Sequence, residues 1–275
     1  MIAKLKNVIQ LLAFITLILM SCKREDAFTT DNNLISIVPK IDHSDLNKFL
    51  PTSNYNQIII HQFYTLSYAE KYEQAEWVAY RLEADFKVNT HYKRPYFIED
   101  NLVKTKSADW RNYRKSGYDK GHLCPAGDMK FSEKAFTETF YTSNISPQKH
   151  DFNSGVWNTL EQKVRYWSQK YNGIYVITGP VLTDGLQTIG SEQVAIPKYF
   201  YKVLLNTSAS PPKMIAFLVP GVDSNKPLYK FVVAVDNLEK ITNIDFFSSL
   251  PDNLENALEQ GKNYKNWSFG YFGTR

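Results

Sequence analysis

The sequence reads as an α+β domain, a central antiparallel sheet with flanking helices. Three observations carry that reading. Six short apolar or alternating runs are each bounded by Gly, Pro, Asn or Asp, the punctuation of strands. Two longer segments, roughly 153–170 and 251–260, have helical character and stand apart from the runs. The 275 residues are 43% hydrophobic, with 18 Tyr and 17 Phe, enough apolar mass for one sizeable core and more than a disordered or coiled-coil chain carries.

Taken in order, the chain opens with Lys4 and Lys6 and an apolar run from Val8 to Met20, broken only by Gln10 and Thr16. That run falls short of the ~20 residues a membrane span needs, so it reads as the apolar region of a signal peptide. It ends in Leu19-Met20-Ser21-Cys22, which resembles the lipobox of bacterial lipoproteins, where cleavage exposes the Cys for acylation. Residues 1–21 are then a lipoprotein signal peptide, and a lipid on Cys22 anchors the exported protein to a bacterial membrane, the outer membrane or cell surface. The alternative is an ordinary signal peptide with an incidental Cys. With Cys22 acylated only Cys124 remains, so the mature chain has no internal disulfide. Residues 22–55 are polar and read as a tether, with the folded domain at 56–275.

The strand runs are Ile58 to Tyr68, Trp77 to Leu82, Ile174 to Val181, Tyr199 to Leu205, Met214 to Val219 and Tyr229 to Val235. Net charge is +4, and +2 without Lys4 and Lys6, too little to indicate a partner. Local charge is more informative. Between Lys87 and Lys120 stand nine cations (Lys87, Lys93, Arg94, Lys104, Lys106, Arg111, Arg114, Lys115, Lys120) against Glu99, Asp100, Asp109 and Asp119, with aromatics interleaved. Such a stretch suits a phosphate backbone, and equally a solvated charged face.

Two stretches carry the chemistry. The first is Tyr118-Asp119-Lys120-Gly121-His122-Leu123-Cys124-Pro125-Ala126-Gly127-Asp128-Met129. His122 sits beside charge in a turn-rich segment, where an imidazole of near-neutral pKa can take a proton from water. The second runs from Ser143-Asn144-Ile145-Ser146-Pro147-Gln148 through Asn153 to Trp157, Glu161 and Arg165. The last four recur every four residues and share a helix face. Asn153 can offer an amide oxygen to a hard cation, and Glu161 can order the waters around it. The bland alternative is a solvent-facing Glu161–Arg165 pair. A zinc group of His122, Cys124 and His150 lacks further ligands at zinc spacing.

Asp-Lys-Gly-His-Leu-Cys-Pro-Ala-Gly-Asp resembles the Asp-Arg-Gly-His signature of the ββα-metal DNA/RNA non-specific endonucleases, and the second stretch resembles that family's second block. The resemblance implies a ββα-metal site that hydrolyses DNA and/or RNA without sequence specificity and leaves 5′-phosphate ends. His122 would be the general base, Asn153 the ligand of Mg²⁺ (Mn²⁺ is also suited), Glu161 the holder of the metal's waters and Asn144 the residue that orients the site. Arg165 would support the carboxylate or the phosphate, and Arg94 would clamp phosphate. Lys120 stands where the motif has Arg, which keeps the charge for substrate binding but loses the bidentate fork. A catalytically impaired nucleic-acid-binding surface lipoprotein is the alternative function.

Overall fold

Alternation along the strands sorts their side chains onto two apolar faces, and each face is covered. The computed structural model describes residues 46–84 and 91–270. The expected signal peptide, Cys22 and Lys87 lie outside them. Seven strands form one sheet in the order β1 (Ile58–Ile60), β2 (Thr65–Ala69), β3 (Gln74–Leu82), β6 (Ile174–Pro180), β9 (Tyr199–Asn206), β10 (Lys213–Pro220) and β11 (Val232–Val233). Every pairing in it is antiparallel. Two separate two-stranded antiparallel sheets pair β4 (Asp119–His122) with β5 (Ile145–Gln148), and β7 (Thr188–Ile189) with β8 (Val194–Ala195).

Period-two geometry shows best on β9. Phe200 and Leu204 join a core with Tyr80, Val176 and the inner side of the helix Asn158–Lys170, through Leu160, Val164 and Trp167. Tyr201, Val203 and Leu205 join a second core with Val235, Leu238, Phe246, Phe247 and Leu258. A sheet covered on both faces explains why the central strands are buried along almost their whole length.

Three expectations change. The run Ile58–Tyr68 is two strands, because the chain reverses at His61–Tyr64, where the His61 N–H donates to the Tyr64 carbonyl at 2.9 Å. No Gly or Pro marks that turn. The run Tyr229–Val235 holds a 3₁₀ turn, Leu228–Phe231, and a two-residue strand, after which the helix Val235–Thr242 begins. Val235 and Leu238, three apart, point that helix's apolar side at the sheet. The folded body begins before residue 56. Leu46 is buried, Trp77 Nε1 donates to the Thr52 carbonyl at 2.9 Å, and Ser53 Oγ and the Asn54 N–H donate to Glu76 at 2.9 and 3.0 Å. Those polar residues satisfy a buried carboxylate.

Candidate active site

Neither β4 nor β5 has strand propensity, since between them they hold Gly, Pro and charges. Their pairing sets Asp119 opposite Gln148 and His122 opposite Ile145. Gly121 is required there, because a Cβ would lie 2.2 Å from the Gln148 side chain. The buried Asn144 amide locks the chain just beyond His122. Its Oδ1 accepts the Cys124 N–H at 2.8 Å, and its Nδ2 donates to the carbonyls of Cys124 and Thr139 at 3.0 and 2.9 Å.

Alternation puts Lys120 and His122 on one side of β4, with Asp119 and Gly121 on the other. On the first side the Phe97 ring meets His122 at 5.5 Å and the Lys120 Nζ at 5.3 Å. Phe140 meets His122 at 5.0 Å and the Arg94 guanidinium at 5.4 Å. Arg94, Lys130 and His122 line a cavity of about 420 Å³ with Tyr92, Phe136 and Phe140. Burial, with the charge of Arg94 added, pulls the His122 pKa down to about 3. The ring is therefore neutral. Its Nε2 is buried without a hydrogen-bond partner among the described residues.

On the other side, the Asp119 Oδ2 accepts from His150 Nδ1 at 2.9 Å and from Asn153 Nδ2 at 3.0 Å. The expected helix is not continuous: a kink at Gly155 (φ −95°, ψ −113°) separates the turn that carries Asn153 from the regular helix Asn158–Lys170 that carries Glu161 and Arg165, so the four residues do not share one unbroken helix face. Trp157 is buried against Phe152 and Phe200. Arg165 does not pair with Glu161. Its Nη1 donates to Asp128 Oδ1 at 2.6 Å, while the Tyr80 hydroxyl donates to Asp128 Oδ2 at 2.7 Å. Glu161 instead faces Lys202, which is wholly buried on β9, donates from Nζ to Thr178 Oγ1 at 2.8 Å and lies over the Trp157 ring at 4.7 Å. Burial pushes the Glu161 carboxyl up to about 7, Lys202 pulling it down, Asp128 pushing it up and Arg165 pulling it down.

The family model for DNA/RNA non-specific endonucleases matches residues 44–253. The chain belongs to that family. It is 35% identical over 209 residues to the mitochondrial nuclease EXOG of Danio rerio, 69% of this chain and 61% of that protein. To the mitochondrial endonuclease G of Homo sapiens it is 32% identical over 209 residues, 70% of each. To nuclease C1 of Cunninghamella echinulata var. echinulata it is 34% identical over 207 residues, 68% of this chain and 81% of that one. A crystal structure of the EndoG/EndoGI complex superposes with a TM-score of 0.68 at 31% identity, covering 75% of this chain and 91% of that one. The matches span only about half to three-fifths of the EXOG proteins, 46% of the human one and 61% of the Danio one.

Within this family member the expected site residues are arranged unevenly. Arg94 and His122 line one cavity, which Lys120, Asn153 and Glu161 do not line. Asn153 reaches the β4 strand through Asp119. Because its Nδ2 donates to Asp119, its Oδ1 is left as the acceptor. That amide oxygen and the Glu161 carboxylate, which makes no hydrogen bond or close ion pair among the described residues, make an oxygen offer that fits a hard cation. The zinc group does not form: His150 is taken by Asp119, the Cys124 thiol is buried with its pKa raised by burial, and no such trio assembles among the described residues. Reading from the sequence missed Asp119, Asp128 and Lys202. The two aspartates bracket the first motif, a signal that was available. Lys202 sits inside an apolar strand and left none.

Proposed function

We propose that this chain is a metal-dependent endonuclease that hydrolyses phosphodiester bonds of DNA and RNA without reading base sequence. One observation carries the reading beyond family membership. A single four-residue strand, β4, holds the neutral imidazole of His122 and, through Asp119, the amide of Asn153. A neutral ring is the form of histidine that accepts a proton, and with its Nε2 buried His122 would take that proton from water through Nδ1. Asn144 keeps that ring in place by locking the backbone after it. Asn153 Oδ1 would hold Mg²⁺ or Mn²⁺, with Glu161 ordering its waters, and a bound divalent cation supplies positive charge beside the scissile phosphate. Arg94, Lys120 and Lys130 would supply positive charge for phosphates, a kind of contact that carries no base-sequence information. Cleavage on the 3′-oxygen side leaves 5′-phosphate ends. We infer in addition that Cys22 carries lipid, supported by the Leu19-Met20-Ser21-Cys22 run.

Digestion of plasmid DNA and of RNA, with and without EDTA, tests the reading. Activity is expected on both substrates and lost in EDTA. Replacing His122 with Ala should slow cleavage about 10²- to 10⁴-fold with little change in DNA affinity. Asn153→Ala should raise the Mg²⁺ concentration required. A folded His122→Ala protein that cuts at the parent rate removes His122 from the mechanism and favours the binding-only lipoprotein.

A further inference from the structure

On the face of the sheet away from the helix Asn158–Lys170, five carboxylates converge. The helix Val235–Thr242 presents Asp236 and Glu239, the turn after it Asp245, and the helix Asp252–Glu259 presents Glu255 and Glu259. Their oxygens fall into two overlapping groups, Asp236–Glu239–Glu259 and Asp245–Glu255–Glu259, each with its atoms within 4.8 Å of one another. Glu259 belongs to both groups. Its side chain is only 6% exposed and is hydrogen-bonded to that of Glu239, while its Oε1 is buried with no hydrogen-bond partner among the described residues. Glu255 Oε1 is buried and unpartnered in the same way.

Such an arrangement runs against ordinary helix design. Like charges four apart on one helix, as Glu255 and Glu259 are, destabilise it, and a second helix adds two more acids to the same spot. An unpaired buried carboxylate is costlier still. These side chains hold together only if something positive stands among them, a cation or a proton.

We propose that the cluster is a structural calcium site that ties the two C-terminal helices to each other, with Glu259 at its centre. The donors are all carboxylate oxygens, the preference of a hard cation, and no His or Cys favours a softer metal. Calcium accepts six to eight oxygens in adaptable geometry, whereas Mg²⁺ demands a tighter octahedron and keeps its waters. Glu239 is already partly oriented, since its Oε1 accepts the Phe246 N–H at 2.9 Å. Glu255 and Glu259 lie past residue 253, where the family match ends, so the site does not follow from family membership. Nor does it rest on the nuclease reading.

The competing occupant is a proton. Burial, then Glu239, Glu255, Asp236 and Asp245, push the Glu259 carboxyl up to about 8, so without a cation it stays protonated at neutral pH. The full chain carrying Asn153→Ala, which removes the proposed catalytic ligand, separates the two. After chelation, calorimetric titration with CaCl₂ should show one equivalent bound, and the melting temperature should climb with free Ca²⁺. Adding Glu259→Gln should weaken binding at least ~10-fold while leaving the melting temperature in EDTA nearly unchanged, because the amide replaces a carboxyl that is already neutral without a cation. Should that variant misfold, Asp245→Asn, an exposed position, should still flatten the calcium response. No calcium bound by Asn153→Ala, or undiminished binding in the folded variants, overturns the site and leaves a shared proton.

Discussion

His122 and Lys202 are both bases that burial drives toward their neutral forms, but their neighbours differ. Lys202 has the carboxylates of Glu161 and Asp128 working against burial. The largest charge acting on His122 is the cation Arg94, which adds to burial and takes its pKa from 6.5 to about 3. A histidine lowered in the folded state binds fewer protons there than in the unfolded chain. Its contribution to stability is therefore complete above pH 6.5 and is lost as pH falls toward 3. Between pH 7 and pH 5 the parent should lose about 2 kcal/mol of stability relative to His122→Asn, an upper figure because the ring is open to its cavity. Denaturant unfolding of both proteins at the two pH values reads this directly. Parallel losses would show that His122 titrates normally, and an activity limb near pH 6.5 would then belong to it.

At the scale of elements, the joint between the helix Asn158–Lys170 and the turn Ala126–Met129 depends on one ion pair. The Asp128 side chain is 1% exposed and divides its oxygens between Arg165 and Tyr80. Gly127 lets the guanidinium lie against the turn, since a Cβ there would stand 3.0 Å from Arg165 Nη1. Removing one partner of such a pair leaves a buried charge uncompensated. Arg165→Met should destabilise the protein by about 3 kcal/mol, and Asp128→Asn added to it should restore part of the loss. Arg165→Lys should restore less than the charge alone suggests, because a lysine lacks the planar fork. Equal stability of parent and Arg165→Met in urea would show the joint to be held by apolar packing instead. This pairing also changes the part Arg165 plays, from a partner of Glu161 to a brace for the turn that follows His122.

At the scale of the molecule, the folded body begins by Leu46, which agrees with a family match that starts at residue 44. The proposed tether from Cys22 is thus shorter than the polar composition up to residue 55 suggests. With a lipid on Cys22, the full-length protein should partition into detergent, and Cys22→Ala should leave it in the aqueous phase or unprocessed. Mass spectrometry that finds an unmodified N-terminus upstream of Cys22 refutes the anchor. None of the helices among the described residues is long and apolar enough to cross a membrane.

Local pattern was enough for β3, β6, β9, β10 and the helices near 158–170 and 252–259, because alternation and four-residue periodicity are properties of neighbours in the chain. His122, Asn144, Asn153, Glu161 and Arg94 became candidates through the resemblance of two motif blocks to a known family, which alternation and periodicity alone do not supply. Local pattern could not find β4 and β5, whose pairing follows from the Asn144 clamp and the Gly121–Gln148 fit rather than from strand propensity. The sequence alone offered Arg165 the Glu161 carboxylate or a phosphate, and in the fold its hydrogen-bond partner is Asp128, 37 positions earlier. Lys202 and the five C-terminal carboxylates were equally invisible. Whether a charge is solvated, paired or buried depends on which distant surface closes over it, and that is settled by packing between segments, after each segment has already taken its local form.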